Sequence, residues 1–525
     1  MKKLPIGVQT FAEIRSDNYC YVDKTPLIYR LADQGKSYFL SRPRRFGKSL
    51  LLDTIAEAFA GSRELFTGLY LENHWDWDRR YPVVRIDFAG GVMRNRAELD
   101  ETIIAMLRQQ GLRFGIELEQ RLAHLVLSEL IERLHETSGE RVVVLVDEYD
   151  KPILDNLESP ELATELRDGL RNLYSVLKAH DAQLRFVFLT GVSKFSKVSL
   201  FSGLNNLEDL TLDKRYATIC GYTQQDVEQV FAEYLEGVDL EELRRWYNGY
   251  NWLGEPVYNP FDVLLFFAKE KEYRNYWFET GNPSFLVRLV EERRYPVPNL
   301  ERVMASDELL SSFDVGSLEL ETLLFQTGYL TIKERHRLGN EYFYTLTYPN
   351  REVKRALTGT ILSALAKSAG ERARYQMALY QALAAGDCDV MRDIFHAFFA
   401  SIPHDRSFAP LTTWYRKNQL AGYEGYYASI FYCYFTALGL DVVVEDSTSV
   451  GRIDMTVFVE GKIYILEFKV VSKGAKTGSA LAQIREKRYA DKYRGQGEIY
   501  LLGVEFDKES RNIVGFEWAT AQGLS

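Results

Sequence analysis

Apolar residues fall into a few short unbroken runs separated by longer amphipathic stretches. Tyr38-Phe39-Leu40 runs into Ser41 and the turn residue Pro43. Val83-Val84-Arg85-Ile86 closes on Asp87, Val142-Val143-Val144-Leu145-Val146 closes on Asp147, and Phe186-Val187-Phe188-Leu189 closes on Thr190. Runs of this length with polar ends predict strands covered on both faces, as in a parallel sheet. Between them, apolar residues recur at three and four over 27–32, 50–59, 99–107 and 118–134, which predicts amphipathic helices. Residues 223–247 read as further helices. A helix-like stretch over 318–327 is followed by alternating segments at 329–332 and 342–346 with the turn Leu338-Gly339-Asn340 between them. That order suggests a winged helix touching DNA through Arg335, His336 and Arg337, or a lid subdomain. Helices continue over 350–367 and 375–385. Toward the C-terminus a helix ending at Leu438 precedes strands at 442–445, 451–458 and 463–469, the last two joined by a Glu460-Gly461-Lys462 turn.

The first strand runs directly into Arg42-Pro43-Arg44-Arg45-Phe46-Gly47-Lys48-Ser49-Leu50 and then a helix. Strand, turn, Gly-Lys-Ser and helix is the layout of a phosphate loop, whose backbone N–H groups and helix N-terminus wrap a polyphosphate. Lys48 would reach the β/γ phosphates and Ser49 would hold Mg2+. The usual first glycine of such a loop falls at Arg42. About 100 residues downstream, Asp147 would bind the same Mg2+ and Glu148 would orient or deprotonate the attacking water. Thr190, closing another strand, is the candidate sensor of γ-phosphate or water; Lys194, Lys197 and Arg215 are candidate cations for the transition state. Asp23 and Lys24 either face the nucleotide or form a turn and helix cap.

With 525 residues, 46% hydrophobic and 26% charged, the chain has ample core for two to four domains. A net charge of −10 argues against a generally basic nucleic-acid coat but leaves room for local basic patches. The four cysteines are far apart and lack CxxC spacing, which suits a reducing cytosol and not a zinc site. No signal-like N-terminus is read, and apolar stretches such as 263–268 are too short to span a bilayer.

The strings Tyr21-Val22-Asp23-Lys24-Thr25, Arg42 to Leu50 as quoted, Val146-Asp147-Glu148-Tyr149-Asp150-Lys151-Pro152 and Leu200-Phe201-Ser202-Gly203-Leu204-Asn205-Asn206-Leu207 together resemble the bacterial AAA-ATPase-like proteins. The resemblance spans nearly the whole chain, and Arg42 in place of glycine is a feature of that family. It implies a C-terminal PD-(D/E)xK nuclease-like domain, and a role in phage defence or mobile-element biology. Aromatics at 246–252 and 276–278 are read as core or interdomain packing.

In the C-terminal hairpin, Asp454 lies on one strand and Glu467 and Lys469, two apart, leave one face of the next. Two carboxylates hold Mg2+ against a scissile phosphate while the lysine steadies the attacking water. The order Glu424, Asp454, Glu467-x-Lys469, Gln483 and a following tyrosine resembles RecB-type nucleases, with Glu424 an extra metal ligand. Gln483 is read as opening a basic helix to Arg494, which with Lys473 and Lys476 offers a positive surface to a phosphate backbone.

The expected fold class is α/β: a P-loop parallel sheet, a helical or winged-helix-like middle, and a restriction-endonuclease-like α/β domain. The expected domains are 1–222, 223–410 and 411–525. ATP and Mg2+ are the expected cofactors, with Mn2+ an alternative at the nuclease site. Arg44, Arg45, Phe46, Gly47, Lys48, Ser49, Leu50 and Thr190 would line the nucleotide. The expected function is an ATP-gated, Mg2+-dependent nuclease on DNA, cytoplasmic and off the membrane. The alternative is an ATP-dependent switch whose nuclease fold only grips. A homo-oligomer is compatible with such ATPases.

Overall fold

The computed structural model describes residues 1–194, 207–280, 295–311, 319–365, 369–401, 419–471, 477–507 and 512–521, with scattered positions between 286 and 293. The chain divides into two compact units, Met1–Gly281 with Val303–Asn350, and Asn282–Arg302 with Arg351–Ser525.

The first unit is built on a five-stranded sheet of described residues: β1 Ser37–Ser41, β2 Val83–Asp87, β3 Val142–Asp147, β4 Leu184–Gly191 and β5 Glu208–Asp209, in the order β2-β3-β4-β1-β5. All neighbours run parallel. β1 and β3 are buried at every position, as their unbroken apolar runs require. Because β4 lies between β1 and β3, the carboxyl ends of three strands present Ser41, Asp147 and Thr190 along one edge. Ligands of open α/β sheets bind at that edge.

The predicted helix over 50–59 is Lys48–Ala60, and that over 99–107 is Arg96–Arg113. The one expected from 118 begins at Ala123 instead. The Glu129 carboxylate accepts the backbone N–H groups of Glu119 and Gln120, so the residues before Leu122 stay outside the helix.

Helices Gln224–Val230, Leu240–Tyr247 and Pro260–Ala268 follow, capped by Thr223, Asp239 and Asn259. They close on a core of Phe231, Trp246, Tyr247, Tyr258, Phe266 and Phe267, joined by Cys20 and Val22. Later in the chain come β6 Val303–Ser306, β7 Thr331–Leu338 and β8 Glu341–Thr347, paired antiparallel in the order β6-β8-β7. The helix Leu320–Thr327 precedes the β7–β8 hairpin, so the middle region is winged-helix-like. β7 starts two residues later than the alternation suggested. Gly328, at φ 92°, ends the helix, and the N–H groups of Tyr329 and Leu330 fold back onto the Leu324 carbonyl.

In the second unit β9 Asp441–Ser447, β10 Arg452–Val459, β11 Lys462–Val471, β12 Glu498–Asp507 and β13 Asn512–Thr520 form a sheet in the order β13-β12-β11-β10-β9. Only β11 and β12 pair in parallel among the described strands. The helix Gln419–Ala437 lies against β11, with Phe431 stacked on Phe395 and tilted over Phe468. The expected basic helix over 483–494 is two pieces, Ser479–Glu486 and the tighter turn Tyr489–Tyr493. Arg488, at φ 50°, breaks them apart so that Tyr489 and Tyr493 turn into the core. No helix among the described residues is long and apolar enough to cross a membrane.

Candidate functional sites

The phosphate loop leaves β1 and enters the helix Lys48–Ala60 through Gly47, which sits at φ 85° as the helix N-cap. That left-handed geometry is open to glycine at little cost. Lys48 is buried, and its ammonium donates to the carbonyls of Arg42 at 3.1 Å and Pro43 at 3.0 Å. Leu50 lies half-buried in the first helical turn.

Arg42, in place of the usual glycine, is fully buried. Its guanidinium donates to the carbonyls of Ser41 at 2.8 Å, Thr211 at 3.0 Å and Tyr216 at 3.3 Å, and lies 4.1 Å from the Trp252 ring centre. Burial pulls its pKa down to about 10, so it remains a cation at neutral pH. The rest of the loop is held from the same side. Trp277 Nε1 donates to the Arg44 carbonyl at 3.0 Å. Arg45, at φ 67°, lies 4.9 Å over Phe261. Phe46 is buried edge-on against Tyr250 and Trp252. The aromatic stretches of the middle region therefore wrap the phosphate loop.

Ser49, half-buried at the second residue of that helix, acts on Asp147 at the end of β3. Burial pushes Asp147 above its ordinary value; Ser49 and Lys48 act against that, while Asp87 adds to it. Glu148 is also pushed up, first by burial and then by Asp147 and Asp150, with Lys48 opposing. Its φ of 47° is a strained left-handed backbone, of the kind concentrated at working sites. Thr190 is fully buried and its hydroxyl has no hydrogen-bond partner. A buried hydroxyl without a partner calls for an acceptor. Lys48, Ser49, Asp147 and this hydroxyl fit a nucleotide phosphate and its Mg2+.

The candidate cations sort differently. Lys194 is ion-paired to Asp209, and Arg215 to Glu208 and Asp213. Lys197 and residues 200–206 of the quoted motif lie outside the described residues. Asp23 accepts the N–H groups of Thr25 and Tyr70, and Lys24 pairs with Asp226, which is the turn-and-cap arrangement.

The sequence reading had assigned no role to two further acids. Asp87 ends β2 in register with Asp147; its signal was a second apolar run closing on an acid. Asp150 is buried and accepts from Val192 N, Ser193 N and Ser193 Oγ, tying the end of β3 to the segment after β4.

In the second unit Asp454 on β10 accepts the Phe468 N–H of β11 at 2.8 Å. Burial raises its pKa to about 6 against the pull of that N–H and of Arg452. Glu467 is buried, and its carboxylate accepts from the Gln483 amide. Lys469 donates to the Ser479 carbonyl at 3.0 Å. Tyr489 donates to the Arg452 carbonyl at 2.8 Å.

The helix carrying Gln483 lies close because Gly503 stands beside Glu467 in the register. A Cβ there would come within 2.3 Å of Leu481 N. Glu505, beside Lys469 and 1% exposed, accepts from Gly478 N, Ser479 Oγ and Ala480 N and so seats that helix. Sequence gave no sign of this residue's part.

Asp454, Glu467, Lys469 and Gln483 thus meet on one face. A buried carboxylate, Glu467, and a half-buried one, Asp454, raised to about 6, are a donor set that suits a divalent cation completed by water or phosphate. Among the described residues no group of three or more His, Cys, Asp or Glu forms a ready-made metal cage. Glu424 lies on the helix Gln419–Ala437, but its side chain, like Lys473 and Lys476, falls outside the described residues. The expected positive surface is partly neutralised. Arg488 and Arg494 pair with Asp491, and Lys492 with Asp446, while Arg485 and Lys487 stay exposed.

Comparison with known proteins agrees with both halves. Residues 5–201 match the family described as "Predicted AAA-ATPase", and residues 422–516 match the PD-(D/E)XK nuclease superfamily. The chain is 57% identical over 517 residues to the "Uncharacterized protein in vnfD 5'region" of Azotobacter chroococcum mcd 1, covering 98% of each. On the phosphate loop, the paired carboxylates and this full-length relative, the chain belongs to the bacterial AAA-ATPase-like proteins that carry a C-terminal PD-(D/E)XK nuclease-superfamily domain.

Proposed function

We propose that the protein binds and hydrolyses ATP in its first unit and cuts DNA with a divalent metal in its second, nucleotide state licensing the cut. The observation that carries the nuclease half is the convergence of Asp454, Glu467, Lys469 and Gln483 on one sheet face. When bound, Mg2+ or Mn2+ supplies charge at the scissile phosphate and an acidified water. Asp454 and Glu467 would hold it, Gln483 fixes the Glu467 carboxylate, and Lys469 places a cation beside the attacking oxygen. In the first unit Lys48 would neutralise the polyphosphate, Ser49 and Asp147 would hold Mg2+, Glu148 would position the water, and Thr190 would donate to phosphate or water.

The test is cleavage of linear and supercoiled DNA with Mg2+ or Mn2+, with and without ATP, comparing wild type with Lys48→Ala and Lys469→Ala. Loss in both variants supports a nucleotide-gated nuclease. Loss only in Lys469→Ala removes the gating. ATP turnover that survives Lys48→Ala overturns the phosphate-loop assignment.

A further inference from the structure

The β7–β8 hairpin is only half inside the first unit. Thr331, Ile332, Tyr344, Thr345 and Leu346 are buried, whereas Lys333, Glu334, Arg335, Arg337 and Leu338 of β7 and Glu341 and Tyr342 of β8 are exposed. β6 backs β8 as far as Phe343, and beyond it the tip is a two-stranded ribbon closed by Gly339 at φ 65°. β7 spans roughly 17 Å from residue 333 to 338 at about 3.4 Å per residue.

The exposed charges of the hairpin itself are segregated by face, and the Asp307 carboxylate, which accepts from Tyr344, lies at the inner end of the arginine face. Side chains alternate along a strand, and the register pairs Arg335 with Tyr344 and Arg337 with Tyr342. These four therefore share one face, and Glu334, His336 and Glu341 take the other. On the first face Arg335 stacks 4.8 Å over Tyr342, and Arg337 Nε is steadied by the Gly339 carbonyl. Among the described residues Arg335, Arg337 and Lys333 have no carboxylate partner, while His336 on the opposite face pairs with Glu334. β7 is the edge of its sheet, and a charged edge also guards against strand pairing. Edge protection works with either sign on either face, however. It does not call for two arginines on one face, oriented by an aromatic ring and a carbonyl, in a chain of net charge −10.

We infer that this ribbon face grips the phosphate backbone of duplex DNA, Arg335 and Arg337 taking phosphates at the edge of the major groove. That groove of B-DNA admits a two-stranded ribbon, whereas the deep, narrow major groove of A-form RNA does not. The inference rests on the reading of nucleic acid as the substrate class and adds a second contact, in the ATPase unit, to the one at the nuclease face.

The test is fluorescence anisotropy of a labelled 30-base-pair duplex with the full chain carrying Lys469→Ala, in metal-free buffer across a salt series. Each phosphate contact contributes about −0.9 to the slope of log Kobs against log salt. Adding Arg335→Ala and Arg337→Ala should flatten the slope by about 1.8 and weaken binding at least tenfold at low salt. Arg335→Lys with Arg337→Lys should restore the slope. Thermal midpoints of all variants are measured alongside, and both substitutions lie in exposed ribbon.

Unchanged slope and affinity in the alanine variant overturn the proposal. So does a chain that binds no duplex, or one that binds duplex RNA of the same length equally well with the same loss. The nuclease reading fails separately. Wild type that binds duplex through the ribbon but never cuts it refutes cleavage and leaves the grip standing. Wild type that cuts, with the alanine variant cutting and binding equally well, does the reverse.

Discussion

Arg42→Gly restores the residue that phosphate loops usually carry, and the structure says it should damage this one. The guanidinium supplies three hydrogen bonds to the carbonyls of Ser41, Thr211 and Tyr216 and stacks on Trp252. Hydrogen bonds from a charged donor contribute about 1.5–3 kcal/mol each. A desolvated cation–π contact adds about 2 kcal/mol. Against these stands the several-kcal/mol penalty of burying the cation, which glycine no longer incurs. The difference, with buried carbonyls left unpaired, is a net loss of about 3–4 kcal/mol. At roughly 2 °C per kcal/mol for a unit of this size, the midpoint should fall by about 6–8 °C. The Arg42 carbonyl is also one of the two acceptors that hold Lys48, so ATP affinity should fall at least tenfold. Differential scanning fluorimetry with and without ATP, plus titration of a fluorescent ATP analogue, reads both. Arg42→Lys should recover part of the stability, because a point charge reaches fewer carbonyls than the planar fork. A double-mutant cycle with Trp252→Leu should show about 1–2 kcal/mol of coupling. A glycine variant that melts within 1–2 °C of wild type and binds ATP normally would refute the argument and make Arg42 a tolerated substitute.

Three further outcomes follow from the packing. Phe46→Ala empties the space against Tyr250 and Trp252 and should cost about 3–4 kcal/mol, seen as a lower midpoint that ATP only partly restores. Gly503→Ala places a methyl within 2.3 Å of Leu481 N, so the helix holding Gln483 must lift; the β11–β12 face should lose DNA cleavage at unchanged ATP turnover. Glu505→Gln tests the seat of that helix through pH. Burial alone would raise Glu505, but Ser479 Oγ and the N–H groups of Ala480, Gly478 and Ser479 outweigh it and hold the carboxyl below its ordinary value. A lowered folded value means stabilisation present above the unfolded value of about 4.3 and lost as pH falls through the folded one. The gap in midpoint between wild type and Glu505→Gln should be full near pH 7 and close in acid; a gap constant down to pH 3 would count against it.

What could be read in the sequence was what depends on local pattern. Unbroken apolar runs such as 142–146 mark buried parallel strands, and a polar residue closing such a run marks the carboxyl edge of the sheet, so β1, β3 and β4 and the residues they present there were legible. That Glu467 and Lys469 share a face was legible because a two-residue period fixes it along one strand, and the hairpin turn brought Asp454 onto the neighbouring strand. What escaped depends on contacts far apart in sequence. Trp252 and Trp277 carry no periodic signal that points at Arg42 and Arg44, and only the folded unit brings them 4.1 Å and 3.0 Å from their partners. Glu505 reads as one more acid in a strand until parallel pairing sets it beside Lys469 and under the N-terminus of the helix Ser479–Glu486. The charges of 483–494 show the same limit from the other side, since composition counts cations while only the fold reveals that Lys492 is already committed to Asp446. The glycine position illustrates how the two kinds of information combine. A motif with an arginine where backbone freedom is expected looks weakened, yet the same arginine is the anchor through which the aromatic middle region holds the phosphate loop in shape. The loop's geometry is therefore set by residues some 200 positions downstream as well as by its own sequence. Substitutions in that aromatic region should consequently change nucleotide affinity as well as stability.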